Sequence, residues 1–278
     1  MASTLLNSTP DPVATGSMEL PPAPAVDAPA PARTFAKSDL RIGVVIPCRG
    51  DKALLPACLD SLRQFVQAGD PIVVVDGDAD PTVASMAQSR GMAYLHSPDR
   101  RRGAVIGQGV AWVLNQPPLD LLLICHADMT LLAGTRAKLA AALDAHAKLR
   151  WGWLGHHIDD HRFRFRLLEW GNHWRGVIMN VPYGDQVMFV GVDLLAAAGG
   201  WPFQPEMEDL ELSLRLRHLS PATFVNAPAI TGARQWSRER LRMSPVPGDA
   251  AGAIAPSLTF PVERANRLSR QASPRRRT

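Results

Sequence analysis

The apolar run Leu121-Leu122-Leu123-Ile124-Cys125 ends in His126-Ala127-Asp128. A carboxylate at the tip of so apolar a segment is costly to bury unless a metal or a basic partner neutralises it. A hard divalent ion using one or two carboxylates plus substrate phosphates meets that need, which points to Mg²⁺ or Mn²⁺. His126 could face the same way, as a ligand or a phosphate contact. A capping Asp beside a packed His is the plainer alternative. About eighty residues later comes a second acidic pair, Glu208-Asp209. At the start of a helix these carboxylates are favoured by the dipole, so helix stabilisation alone could account for them. The chemical reading is a general base for a hydroxyl nucleophile.

Elements that could position these groups are legible from periodicity. Arg41 to Pro47 reads as a buried strand closed by proline. Leu55, Cys58, Leu59 and Leu62 then recur at helical spacing. Ile72 to Val75 is a second buried strand, followed by the acidic loop Asp76 to Thr82. Asp80 before Pro81 is a good helix cap, and Gly91 a natural helix stop. Met92 to His96 reads as a third strand. Val105, Ile106, Val110, Val113 and Leu114 are spaced for a helix, Leu119 to Cys125 is a fourth strand, and residues 135–148 form an Ala/Leu-rich helix. Trp151 to His157 and Gln186 to Val190 could be strands. Residues 210–217 alternate Leu with polar residues, but Leu, Glu and Arg are helix formers, so a helix buried on two sides is predicted. Strands alternating with helices, as continuous apolar runs, predict a single α/β domain. Its mostly parallel sheet would carry helices on both faces.

In such sheets ligands bind beyond the carboxyl ends of the strands. Those ends carry Arg49 and Asp51, then Asp76, Asp78 and Asp80, then His96 and Asp99, then His126 and Asp128. Arg100, Arg101 and Arg102 could hold a diphosphate or be a solvated charge run. Gly103, Gly107 and Gly109 match neither a P-loop nor a dinucleotide fingerprint. Asp159-Asp160-His161, with His156 and His157 nearby, lacks a helical ligand register and reads as an exposed loop. Most of the tryptophans are expected in the core, with one or two of Trp170, Trp174, Trp201 and Trp236 free to stack on a sugar or base.

The net charge of +4 is local. Six arginines and one acid within residues 261–278 carry the excess, and residues 39–260 are neutral. Nucleic acid is therefore not an expected partner. Weak attraction of the basic tail to a polyanion or membrane surface is the sharper reading of that run. Seven of the 24 prolines fall in residues 1–38, a Pro/Ala-rich segment expected to be disordered. The catalytic domain is expected over residues 39–243, and a loose basic tail over 244–278. Three cysteines without a C-x-x-C suggest buried thiols in a reducing compartment. No run reaches the ~20 apolar residues of a membrane helix, and no secretory signal is recognisable, so a cytoplasmic location is expected.

Taken together and in order, the motifs resemble the family 2 glycosyltransferases of GT-A fold. They are closest to the small soluble subgroup associated with radical-SAM and selenium-related genes. The resemblance spans about residues 40–240. It rests on Val44-Val45-Ile46-Pro47, on Asp76-Gly77-Asp78-Ala79-Asp80-Pro81-Thr82 in place of the nucleoside loop D-G-S-x-D-G-T, on His126-Ala127-Asp128 in place of D-x-D, on Pro182-Tyr183-Gly184-Asp185-Gln186, on Met207-Glu208-Asp209 and on Ala233-Arg234-Gln235-Trp236. It implies a metal-assisted, inverting transfer of a sugar from a nucleoside-diphosphate sugar to an acceptor hydroxyl. Asp128 would bind the divalent cation. Asp209, with Glu208 beside it, would be the catalytic base. Pro47, Asp76, Asp78, Arg102, His126, Asp185, Gln186, Arg234 and Trp236 would line the nucleotide-sugar site. Asp78 and Pro81 depart from the nucleoside loop, and Gly107 replaces the usual Asn of the Arg-rich segment. A nucleotidyltransferase on a similar sheet and a non-catalytic nucleotide-sugar-binding protein are the alternative readings.

Overall fold

The structure is a computed structural model, and it describes residues 40–146, 150–182, 186–204 and 207–232, apart from the side chains of residues 175 and 228. The chain runs β1 (Ile42–Cys48), α1 (Leu55–Phe65), β2 (Ile72–Asp76), α2 (Pro81–Gln88), β3 (Ala93–His96), α3 (Arg102–Leu114), β4 (Leu121–Ile124), β5 (Met129–Leu131), α4 (Thr135–Ala145), β6 (Trp151–Asp159), α5 (Phe163–Met179), β7 (Met188–Gly191), α6 (Val192–Ala197), α7 (Glu208–Leu219) and β8 (Thr223–Gly232). The eight strands form one sheet in the order β3-β2-β1-β4-β7-β6-β8-β5.

The first half is parallel, as the apolar strand runs required. β1 pairs in parallel with both β2 and β4, and β2 with β3. All seven residues of β1 and all five of β2 are buried, because helices cover both faces. One core layer gathers Val44, Ile46, Val74 and Leu123 beneath α1, where Leu55, Cys58, Leu59 and Leu62 are fully enclosed. Each such leucine contributes roughly 1.5–3 kcal/mol by leaving water. The opposite layer joins Val45, Val75 and Leu122 to Val105, Ile106 and Val110 of α3.

The second half carries the antiparallel pairs, β4 with β7, β7 with β6 and β8 with β5, while β6 and β8 are parallel. The β6–β8 ladder shifts register between Leu154 and His156, opposite the stretch of β8 that contains Pro228. A proline cannot donate to a ladder, and a bulge absorbs the missing bond. α7 is buried on two sides, as its leucines predicted: Leu212 and Leu216 pack with Trp151, and Leu210 and Leu214 with Val181. Leu219 departs from that pattern and is half-exposed.

Asp80 caps α2, its carboxylate accepting from Thr82 N at 2.8 Å, and Pro81 is the first helical residue. Helix α2 stops at Gln88, and Gly91 takes the left-handed turn that follows. All three cysteines are buried thiols. Burial beside Asp76 and Asp51 pushes the Cys48 thiol up to about 12. Among the described residues no helix is long and apolar enough to cross a membrane. The expected N-terminal segment 1–38 and the tail 244–278 lie outside the described residues.

Candidate functional site

The carboxyl ends of β1, β2 and β4 share one edge, since Cys48 sits opposite Asp76 and Ile124 opposite Val45. Asp76, wholly buried, ends β2 and organises the loop after it. Its Oδ1 accepts from Asp78 N at 2.8 Å, its Oδ2 from Asp80 N at 2.7 Å and from the Tyr94 hydroxyl at 3.2 Å. Burial and the Asp76 charge hold the Tyr94 hydroxyl protonated, its pKa raised to about 12. Asp78 accepts from Gly50 N at 2.8 Å and pairs with Arg100, which ties the β1 and β2 loops together. Lys52 pairs with Asp80 at 2.7 Å, and with the cap bond to Thr82 it lowers the Asp80 carboxyl to about 2. Pro47 is buried within β1, opposite Val75.

Arg102, the first residue of α3, joins the two acidic motifs. Its Nη2 lies 3.2 Å from His126 Nε2 and 3.4 Å from Asp209 Oδ2, while its Nε lies 2.9 Å from Glu208 Oε1. One guanidinium therefore ties the tip of β4 to the start of α7. A guanidinium only donates, so His126 accepts at Nε2 and carries its proton on Nδ1. Burial, and then the Arg102 charge, lower the His126 pKa to about 3, which keeps the ring neutral. Glu208 is completely buried, whereas Asp209 keeps a small exposed edge at 7%. Asp209 Oδ1 accepts from Leu210 N at 2.8 Å. Arg102 is thus bound to the acidic pair, while Arg100 and Arg101 extend outward to Asp78 and Asp99.

This approach of two helix starts depends on Gly103. A Cβ there would lie 2.1 Å from the Gln204 carbonyl oxygen and 3.4 Å from the Glu208 Cβ. Trp201 fastens the same corner, its indole N–H donating to Gly103 O at 3.3 Å. Trp201 is buried as expected, but Trp170 and Trp174 are not in the core: they are 62% and 42% exposed on α5.

Asp128 follows β4 and is 8% exposed, with the Thr231 hydroxyl of β8 at 3.4 Å from its Oδ2. Among the described residues no cluster of three or more His, Cys, Asp or Glu could hold a metal by itself. One nearly buried carboxylate next to a hydroxyl fits a hard cation that takes most of its ligands from phosphate and water. The described donors do not make a closed, all-protein site.

Gln186 is buried at 2% and lines a cavity of about 340 Å³ with His156, Trp170 and His173, between the sheet and α5. The antiparallel ladder that pairs Ile124 with Met188 runs Gln186 toward the His126 end of β4. Asp185, Arg234 and Trp236 lie outside the described residues. The sequence reading missed this cavity, because α5 was not recognised. Its signal was present: Phe163, Leu167, Trp170, Trp174 and Val177 recur at helical spacing. Asp159 ends β6 and His161 lies in the exposed turn before α5.

No known protein family and no curated protein matches the sequence. Solved structures do match the fold. A mannosyltransferase, PcManGT from Pyrobaculum calidifontis in complex with GDP-Man and Mn²⁺, superposes with TM-score 0.53 at 16% identity, over 77% of this chain and 62% of that one. Staphylococcus aureus TarS, residues 1–349, gives TM-score 0.51 at 16% identity, over 69% of this chain and 58% of that one. Glucosyl-3-phosphoglycerate synthase from Mycobacterium tuberculosis, with Mg²⁺ and UDP, gives 0.50 at 17% identity, over 69% and 71%. The match thus spans about three fifths of the first two structures. The fold is the GT-A-like one, a mostly parallel sheet flanked by helices in a single domain.

Proposed function

We propose that this chain is a nucleotide-sugar-dependent glycosyltransferase that moves a sugar, with inversion, to an acceptor hydroxyl. The observation that carries the reading is Arg102 Nη2, which touches both His126 and Asp209. It brings a carboxylate suited to a metal-diphosphate, two residues beyond His126, to the same edge as a carboxylate suited to a base. The fold supports this, and the similar structures were solved with GDP-Man and Mn²⁺ or with UDP and Mg²⁺.

In this reading the loop held by Asp76 receives the nucleoside, with Pro47 and Asp78 beside it. Asp128, with the Thr231 hydroxyl behind it, would hold Mg²⁺ or Mn²⁺, which supplies positive charge to the departing diphosphate. His126, neutral and bonded through Nε2, adds no charge of its own there. Asp209 Oδ2 takes the proton from the acceptor hydroxyl. The acceptor oxygen then forms a bond to the anomeric carbon as the bond to the diphosphate oxygen breaks, and the electron pair leaves with the nucleoside diphosphate. Glu208 is fully enclosed, so it anchors Arg102 rather than meeting substrate. The acceptor would enter the cavity beside Gln186. Asp185, Arg234 and Trp236 remain proposed donor or acceptor contacts.

The test is transfer or slow hydrolysis of UDP- and GDP-sugars by the wild type and by Asp209→Asn. General-base removal should lower turnover about 10²–10⁴-fold with little change in nucleotide binding. Release of pyrophosphate instead of nucleoside diphosphate would replace this reading with nucleotidyl transfer.

A further inference from the structure

Helix α5 carries an outward apolar face that stands exposed among the described residues. Phe163, Leu167, Trp170, Trp174, Val177 and Ile178 are 79%, 52%, 62%, 42%, 41% and 72% exposed. At 100° per residue they fall within about 100° of arc, and no polar side chain interrupts it. The opposite side packs inward: Phe165 and Asn172 are buried, and the missing Cβ of Gly176 lies 2.6 Å from the Trp153 ring. By helical position Arg164 and Arg166 border the arc, Arg164 exposed and Arg166 paired with Glu169 at 2.9 Å. Arg162, just before the helix, pairs with Asp160, and the guanidiniums of Arg162 and Arg164 lie over the inward Phe165 ring at 5.0 and 4.7 Å.

We propose that this face docks the protein on the surface of an anionic lipid bilayer, with α5 lying in the interface. An apolar arc of Phe, Leu and Trp bordered by arginine is the composition of a helix that lies on a membrane. α5 has 17 residues, and no described helix can span. Charge complementarity favours this occupant over the chain's own basic end, since residues 261–278 hold six arginines and one acid, the same sign of charge as the Arg164 and Arg166 borders. Area argues against a second copy. A helix of 17 residues is about 25 Å long, so a strip about 10 Å wide buries roughly 500 Å² in total between two copies, half of the about 1,000 Å² a stable interface needs. Trp170 belongs both to the arc and to the wall of the 340 Å³ cavity, so docking sets that cavity at headgroup level. The proposal does not depend on the catalytic reading.

The test is flotation of the full-length chain with phosphatidylcholine vesicles, with and without about 30 mol% phosphatidylglycerol. Two variants accompany it, Leu167→Glu/Trp174→Glu and Phe163→Ser/Ile178→Ser, with melting temperature as the folding control. The wild type should float with the anionic vesicles only, and each variant should lose about tenfold or more in partitioning while melting normally. A wild type that stays unbound overturns the proposal. So does binding indifferent to both variants but abolished when the six tail arginines become Gln, which would assign it to the tail. A concentration-dependent dimer that Trp174→Glu dissociates would assign the face to a second copy instead.

Discussion

Replacing Arg102 by Gln removes the cation paired with the buried Glu208 carboxylate. Glu208 is 0% exposed and its carboxylate lies 2.9 Å from Arg102 Nε. Breaking a buried ion pair from one side costs about 3–5 kcal/mol. Protonation caps the loss, because holding a carboxyl of ordinary pKa neutral at pH 7 costs about 3.7 kcal/mol. The Arg102 side chain is 44% exposed, so water already screens the pair and partly replaces the cation. About 2–3 kcal/mol is the reasoned figure, or roughly 5–10 °C in melting temperature for a domain of this size. The deficit should narrow as pH falls toward 4, where the Glu208 carboxylate is protonated in the unfolded chain as well. The assay is urea unfolding of Arg102→Gln, Glu208→Gln and the double variant. The double variant should recover the share of the loss that comes from the Glu208 pair, while the Arg102 contacts to Asp209 and His126 stay lost. A loss under about 0.5 kcal/mol, or no recovery in the double variant, would show that Arg102 does not hold the Glu208 charge in the fold.

Gly109→Val should destabilise by about 1–3 kcal/mol in the same assay, since even a Cβ there would lie 2.5 Å from Val45 Cγ1 and 2.8 Å from Val75 Cγ2. His126, with its pKa lowered to about 3, should show a neutral Nδ1–H ring in nitrogen-detected NMR from pH 5 to 9. The unfolded chain takes up that proton near pH 6.5 and the folded chain only near 3, so this residue contributes a loss of stability as pH falls between the two. Asp76→Ala should cost about 1.5–3 kcal/mol by calorimetry and weaken nucleotide binding together with it, because two loop N–H groups and the Tyr94 hydroxyl lose a charged acceptor.

The first half of the fold was legible because its strands are buried on both faces and read as unbroken apolar runs. Asp80-Pro81 announced a helix start by chemistry that needs no tertiary context. The edge positions of Asp76 and Asp128 followed from those strands. The second half was less legible for physical reasons. β5 has three residues, and β8 carries a proline in its interior, which argues against a strand until the bulge in its ladder is seen. α5 turns its apolar stripe outward, so a search for core helices passes over it. The partners of Arg102 could not be read either. A basic run before a helix looks solvated or phosphate-directed until α7 brings two carboxylates onto it. Glu208 and Asp209, adjacent and alike in sequence, differ in access only through that packing.

In the proposed mechanism Asp128 anchors a metal-nucleotide near the Asp209 base. Thermal stabilisation by UDP, GDP and their sugars, with and without Mn²⁺, tests it most directly on the wild type and Asp128→Ala. Saturation at about 100 times Kd should contribute about 2.7 kcal/mol. An Mn²⁺-dependent rise in melting temperature is expected with one of the two nucleotides, and it should vanish in Asp128→Ala. No shift with any nucleotide, or an equal shift in the variant, would contradict it.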